Sequence, residues 1–259
     1  MLRRLRTLYL ILNEKSLALV LVAVASTYIC RRLELAADFP MAVVMTAVVF
    51  PIVFSISAAY QRREKALAEY ANMKAHGQAI FFASRDWLAQ SDPGLLDECR
   101  QVLRRLFSST REMLMAPTGE MSDREKRVYR DFSDLSGYVR NNLRGRDLAV
   151  GEVSRANQYV SKMLISFETI KHIYQYRTPI SLRTFSDFFL ILLPVFYGPY
   201  FAHLGADYVF GLAYVPPILF TLVLVTLDNI QDHLENPFDQ VGEDDIRLEV
   251  DEYIERLQT

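Results

Sequence analysis

Two runs of 20 residues without a single charge, Met41–Tyr60 and Tyr208–Leu227, constrain this chain more than any other feature of it. As a helix each would reach about 30 Å, the thickness of the hydrocarbon core of a bilayer. Two such segments point to a chain that crosses a membrane. Two shorter apolar runs, Leu17–Cys30 with 14 residues and Phe188–Ala202 with 15, are expected to span beside them, helped by interfacial flanks or a locally thinner bilayer. Arg3, Arg4 and Arg6 ahead of the first run imitate the start of a signal peptide. That run passes into Arg31-Arg32 without a small-residue cleavage site, so it is read as a retained helix.

The four runs pair into two hairpins, joined by Arg31–Pro40 and by His203–Asp207, both too short to hold a domain. The N-terminus, residues 61–186 and the tail therefore share one side. Residues 1–16 carry four Lys/Arg against one acid, and residues 61–186 carry 21 against 15, whereas the only basic residues of the two connections are Arg31 and Arg32. Cytoplasmic segments hold the basic excess, which places both termini and residues 61–186 in the cytoplasm and the chain in a cell inner membrane as a multi-pass protein. The expected divisions are 1–60, an N-terminal arm and first hairpin; 61–186, a cytoplasmic helical region; 187–227, the second hairpin; and 228–259, an acidic cytoplasmic tail.

Beyond Tyr60 the second run continues without a break through strong helix formers to about Gln90, making one rod of roughly 50 residues with Pro51 inside its membrane portion. Ser91-Asp92-Pro93 supplies a cap and a first-turn proline for a helix over Pro93–Met115. A capping box at Ser122 and Glu125 opens another that reaches about Asn142, and a further one runs from about Asp147 to Tyr176. No period-two alternation suggests a strand, so the fold class is all-α: four transmembrane helices with long cytoplasmic helical extensions. Residues 228–259 hold 11 acids and two arginines, which by composition alone is a solvated amphipathic tail, or, more sharply read, a cation clasp or an electrostatic collar.

Chemistry-bearing patterns are few. The runs 41–60, 188–202 and 208–227 lack Asp, Glu, Lys, Arg and His, which argues against a carboxylate-driven transporter. His76, His172, His203 and His233 are scattered without metal-ligand spacing, and Cys30 and Cys99 form no CxxC motif. A net charge of −2 excludes a basic nucleic-acid binder, and no phosphate loop, nucleophile elbow or dinucleotide fingerprint supports an enzyme. Thr46, Phe50 and Phe54 recur every fourth residue and lie along one slowly winding helix face about 12 Å long. Such a stripe is ordinarily core or lipid contact. Repeated around a symmetry axis it would instead make a dry constriction, and ring edges, which carry partial positive charge, would favour anions there.

Three patches resemble the bestrophin family, including its bacterial members. The first is Phe54-x-x-x-Ala58-x-Tyr60-x-Arg62; the second is Arg177-Thr178-Pro179-Ile180 leading into Leu193-Pro194 and Leu204-Gly205. The third, and most specific, is Leu227-Asp228-Asn229-Ile230 followed by Leu234-Glu235-Asn236-Pro237-Phe238-Asp239 and Asp244-Asp245. The resemblance implies a homopentameric ion channel with one pore on the fivefold axis, a hydrophobic neck in the membrane and a wider cytoplasmic vestibule. Its neck positions, counted back from Tyr60, fall on Phe54, Phe50 and Thr46. It also implies a possible calcium clasp, for which Asn236 and Asp244 match two ligand positions by count while Val241 stands where an acid is usual; Glu243, Asp244 and Asp245 are interchangeable at this resolution of alignment. Ser55-Ile56 replaces the family's frequent Arg-Asn after the last neck phenylalanine, and Thr46 is polar where an aliphatic residue is usual.

The expected function is thus a bestrophin-like channel passing small inorganic ions, with no resident cofactor, membrane lipid around it and copies of itself as partners. An acid-free neck and a basic cytoplasmic region favour anions such as chloride over cations. The alternative is a non-conducting, membrane-anchored helical scaffold or regulator.

Overall fold

The computed structural model describes residues 12–89, 92–146, 148–176, 179–209, 211–241 and 244–257. The described residues form helices and connections only, with no strand among them. In chain order the α-helices are α1 (Glu14–Arg32), α2 (Met41–Asp86), α3 (Pro93–Leu114), α4 (Met121–Tyr138), α5 (Val150–Gln175), α6 (Ile180–Phe196), α7 (Gly198–Leu204), α8 (Val215–Glu235) and α9 (Val250–Arg256). Three stretches, Met41–Asp86, Val150–Phe196 and Leu212–Glu235, are long and apolar enough to cross a membrane. Helix α1, with 19 residues, carries Glu14, Lys15, Arg31 and Arg32 at its ends and does not stand among them.

The chain divides into two compact units. One comprises Met1–Gln61, Thr178–Asn236 and Val241–Asp244; the other comprises Arg62–Arg177, Pro237–Gln240 and Asp245–Thr259.

In the first unit α1 packs against α6, α7 and α8. A core of Leu19, Val48, Ile52, Leu190, Leu193, Tyr197, Phe201, Leu224 and Val225 fills it. Inside a bilayer lipid is as apolar as leucine, so helices are held by close packing and by polar contacts between them. Both are present. Ser26 donates its hydroxyl to the Val195 carbonyl at 2.9 Å, and a Cβ on Gly198 would meet Cys30 Sγ at 3.0 Å and the Ser26 carbonyl carbon at 3.2 Å. At the other end of α1, Asn13 caps the helix by accepting from the Ser16 amide, while its own amide donates to Asn229 Oδ1 at 3.2 Å. Asn229 Nδ2 then donates to Ser16 Oγ at 3.1 Å, which closes a ring of side chains between α1 and α8.

The second unit is an ordinary apolar bundle. Met73, Ile80 and Phe81 of α2, Leu103, Leu106 and Phe107 of α3, and Met163 and Phe167 of α5 are almost wholly buried. Each such side chain contributes about 1.5–3 kcal/mol relative to exposure. Asp92 caps α3 by accepting from the Gly94 amide at 2.9 Å, with Pro93 in the first turn, as the sequence predicts for that pair; Ser91 lies outside the described residues.

Several expectations need correction. The uncharged run 208–227 is not the last spanning helix: α8 begins at Val215, where Pro216 and Pro217 fit a first turn, and continues to Glu235, eight residues beyond Leu227. The run 188–202 is not one helix either, because α6 starts at Ile180 behind Pro179, ends at Phe196, and a turn at Tyr197 leads into the short α7. The capping box at Ser122 does not form. Helix α4 starts at Met121 without a side-chain cap, since Glu125 instead accepts from Lys171 Nζ at 2.9 Å and from the Tyr129 hydroxyl at 3.2 Å. That helix is also α-helical only to Tyr138, and a π-helical turn follows over Val139–Leu143. Finally, 228–259 is not a solvated tail. Asp228, Asn229, Gln231 and Glu235 are buried on α8, and Phe238, Ile246, Leu248, Val250, Ile254 and Leu257 are buried in the second unit.

Candidate functional site

Helix α2 presents opposite faces to protein and to the outside between Met41 and Gln61. Val48, Ile52, Ser55 and Ala59 are at most 2% exposed. At 100° per residue these four cluster on one side, and the direction opposite them falls on Phe50. There Phe50 is 56% and Phe54 65% exposed, their ring centroids 6.0 Å apart and tilted by 31°. Thr46 lies on the same exposed face one turn earlier, its hydroxyl donating to the Ala42 carbonyl at 2.7 Å. That hydrogen bond turns the Thr46 proton back onto the helix and leaves its oxygen lone pairs outward.

The structure thus brings Thr46, Phe50 and Phe54 together as a single exposed stripe without a charged residue. Two phenyl rings held outward on a helix that buries its other side are poorly solvated in water. They suit either lipid or a narrow passage closed by copies of the same helix.

The acids of α8 take part in ion pairs that composition did not reveal. Lys15 Nζ lies 2.5 Å from Asp228 Oδ2 and 3.7 Å from Asp187 Oδ1, with the Asp228 side chain only 4% exposed. Arg183 forks between Glu235 at 2.9 Å and Asp232 at 3.0 Å. A turn-by-turn reading of α8 that extended the helix past Leu227 to the Asn236-Pro237 stop would have placed Asp228 and Glu235 on its buried side.

For the metal positions, Asn236 is half-buried at the end of α8, and Asp244 is exposed; Glu243 lies outside the described residues. Among the described residues no three His, Cys, Asp or Glu side chains gather closely enough to hold a metal ion.

The three patches that resemble bestrophins can now be located. Ala58, Tyr60 and Phe54 lie on α2; Pro179 precedes α6, while Arg177 and Thr178 lie outside the described residues. Asp228 and Asn229 join the buried polar contacts of the first unit, and Phe238 is fully buried in the second beside Tyr174, ring centroids 6.2 Å apart.

No model of a known protein family matches the chain, and no curated protein matches it in sequence. Its fold has solved counterparts. The chain is similar to a crystal structure of a bacterial bestrophin homolog from Klebsiella pneumoniae carrying a point mutation, with TM-score 0.72 and 16% identity over 95% of this chain and 98% of that one. A second bestrophin homolog structure from the same organism gives TM-score 0.71 and 14% identity over 94% of each chain. A third gives TM-score 0.72 and 15% identity over 94% of this chain and 96% of that one. The architecture is therefore an all-α, bestrophin-type fold, and the structural likeness covers nearly the whole chain.

Proposed function

We propose that this chain is a subunit of a passive ion channel, a closed ring of five copies in which Thr46, Phe50 and Phe54 line a neck on the shared axis. The observation that carries this reading is the exposed, uncharged phenylalanine stripe on the face of α2 opposite its buried side, in a chain of bestrophin-type fold. Small inorganic ions would shed part of their hydration there, and closure would come from dewetting between the rings. The neck holds no acidic ring, and residues 61–186 have a basic excess, so the reading favours anions, chloride among them. The same excess supports a cytoplasmic placement of that region and of both termini in an inner membrane. Passive conduction needs no cofactor and no catalytic group, and the chain is not assigned an enzymatic reaction.

The test is ion flux through purified protein in liposomes. The parent should pass ions, and Phe50→Ala should raise the rate several-fold by widening and wetting the neck. No flux from either protein would overturn the reading and leave an anchored helical scaffold.

A further inference from the structure

The exposed face of α2 does not end at Phe54. Counting on at 100° per residue, Ser57 and Gln61 fall on the same side as Thr46, Phe50 and Phe54, and both are exposed. Their side chains touch, with Gln61 Nε2 donating to Ser57 Oγ at 3.5 Å. The apolar part of the stripe therefore gives way to a polar pair, and Gln61 lies about 10 Å beyond Phe54 along the helix. No Asp, Glu, Lys or Arg occupies this face between Met41 and Gln61; the next residue counted onto it, Glu64, is paired with the neighbouring Arg63, which offsets its charge.

We infer that Gln61, an uncharged collar just beyond the stripe, keeps the passage weakly selective; this rests on the proposed function, since only a ring of copies places Gln61 around a common axis. An ion leaving a dry neck regains its ligands at the first polar groups it meets. A primary amide offers two donors and an acceptor without net charge, and a hydroxyl offers one of each, so such a collar receives either sign of ion. A formal charge at the same place would act over about the Debye length, about 8 Å at physiological salt, which is comparable to the width of a narrow passage. Several copies of one charge around an axis would fill that passage with a single-signed potential. Gln61 therefore makes the parent channel weakly selective, with the phenyl edges left to supply a mild anion preference.

The chain permits a test in which charge is added after folding. Its own thiols are protected: Cys30 and Cys99 are both buried, and burial pushes the Cys99 thiol up to about 12. Gln61→Cys would thus be the one reactive site. Purified Gln61→Cys is reconstituted in planar bilayers under a tenfold salt gradient, and the reversal potential is read before and after a methanethiosulfonate reagent bearing either a sulfonate or an ammonium group. The two reagents should move the reversal potential in opposite directions, the sulfonate toward the cation limit and the ammonium toward the anion limit. Gln61→Glu and Gln61→Lys should reproduce the two shifts, and the parent should respond to neither reagent. Conduction with an unmoved reversal potential after labelling confirmed by mass would overturn the role of Gln61 while leaving the channel intact. Absence of current in the parent would overturn both.

Discussion

At the scale of single residues, Gly198 shows how closely the first unit is packed. A methyl group there would overlap the Ser26 hydroxyl oxygen and press on Cys30 Sγ at 3.0 Å and on the Ser26 backbone at 3.2 Å, and backbone does not swing aside as the end of a flexible side chain can. Gly198→Ala is therefore expected to destabilise the detergent-solubilised protein by about 1–3 kcal/mol, seen as a lower midpoint in thermal unfolding. Removing the Ser26 hydroxyl relieves only part of that crowding and forfeits its hydrogen bond to Val195, so Ser26→Ala should rescue Gly198→Ala incompletely. A double-mutant cycle with a coupling energy near zero would show that the two residues do not press on each other. Lys171 is the corresponding residue of the second unit. Burial lowers its tendency to hold a proton, but hydrogen bonds from its ammonium to Glu168, Tyr129 and Glu125 outweigh that and keep it above the usual lysine range. Burial raises the Glu168 carboxyl, whereas bonds from Lys171 and Tyr129 outweigh this and hold it below the usual range. A raised lysine stabilises fully below its ordinary value of 10.5 and loses that contribution as pH climbs through its folded value. A lowered carboxylate stabilises above its ordinary 4.5 and loses it as pH falls through its folded value. The pair thus gives a plateau of stability across neutral pH. Lys171→Met should lower the plateau by about 1–3 kcal/mol and shrink the acid-side loss, because Glu168 would no longer be held down and its protonation would favour the unfolded chain less. Denaturant unfolding at a series of pH values measures both effects.

Helices carry the next lesson, because what the sequence disclosed and what it hid divide along them. Helix α2 was legible in outline: an uncharged run followed by strong helix formers predicts one rod from Met41 to about Gln90, and the helix starts at Met41 but ends four residues earlier, at Asp86. Helix α3 was equally legible, since Asp92-Pro93 is a local signal and local signals are written in adjacent residues. Helix α8 was not. The absence of charge suggested a boundary at Leu227, but a helix does not stop where charge begins if the charges have partners, and the partners of Asp228 and Glu235 are Lys15 and Arg183, far away in sequence. Glu125 escaped for the same reason, drawn from its expected capping role by Lys171. Helix periodicity could have put Asp228 and Glu235 on the buried side of α8 but not named their distant partners, so composition read them as solvated tail. The stripe Thr46, Phe50, Phe54 was visible by spacing, but which way it faces became evident only with the buried positions Val48, Ile52, Ser55 and Ala59 in place. The α1–α8 contact yields a prediction of its own. Lys15→Met leaves Asp228 buried without its cation and should cost about 1–3 kcal/mol, less than breaking a fully buried pair because the Lys15 side chain is 37% exposed. The double variant Lys15→Met/Asp228→Leu removes both charges and should recover most of that loss in thermal unfolding. A double variant as unstable as the single one would mean that the Asp228 carboxylate has a role besides its pairing with Lys15.

For the whole molecule, the decisive quantity is how many chains assemble. A single subunit of this fold leaves Val43, Phe50, Val53 and Phe54 exposed along one helix, and lipid could cover all four without forming a passage. A passage requires that α2 helices from several chains turn the stripe toward a common axis, and identical head-to-tail contacts close into a ring when their rotation permits. Ring closure and the neck are thus one hypothesis seen at two scales: a monomer cannot have the neck, and a ring with the stripe turned outward does not need it. Native mass spectrometry from mild detergent should return five copies of the 29.9 kDa chain. To connect assembly with the stripe, Phe54→Cys is treated with a short bifunctional thiol reagent; the buried Cys30 and Cys99 provide a silent background. Cross-linked dimers and higher rungs are expected from the intact ring, because neighbouring Phe54 positions converge only if they face the axis. A pentameric mass with no cross-link at position 54, together with efficient cross-linking from a position on the opposite side of the subunit, would place the phenyl rings against lipid. The passage would then have to be sought along another face.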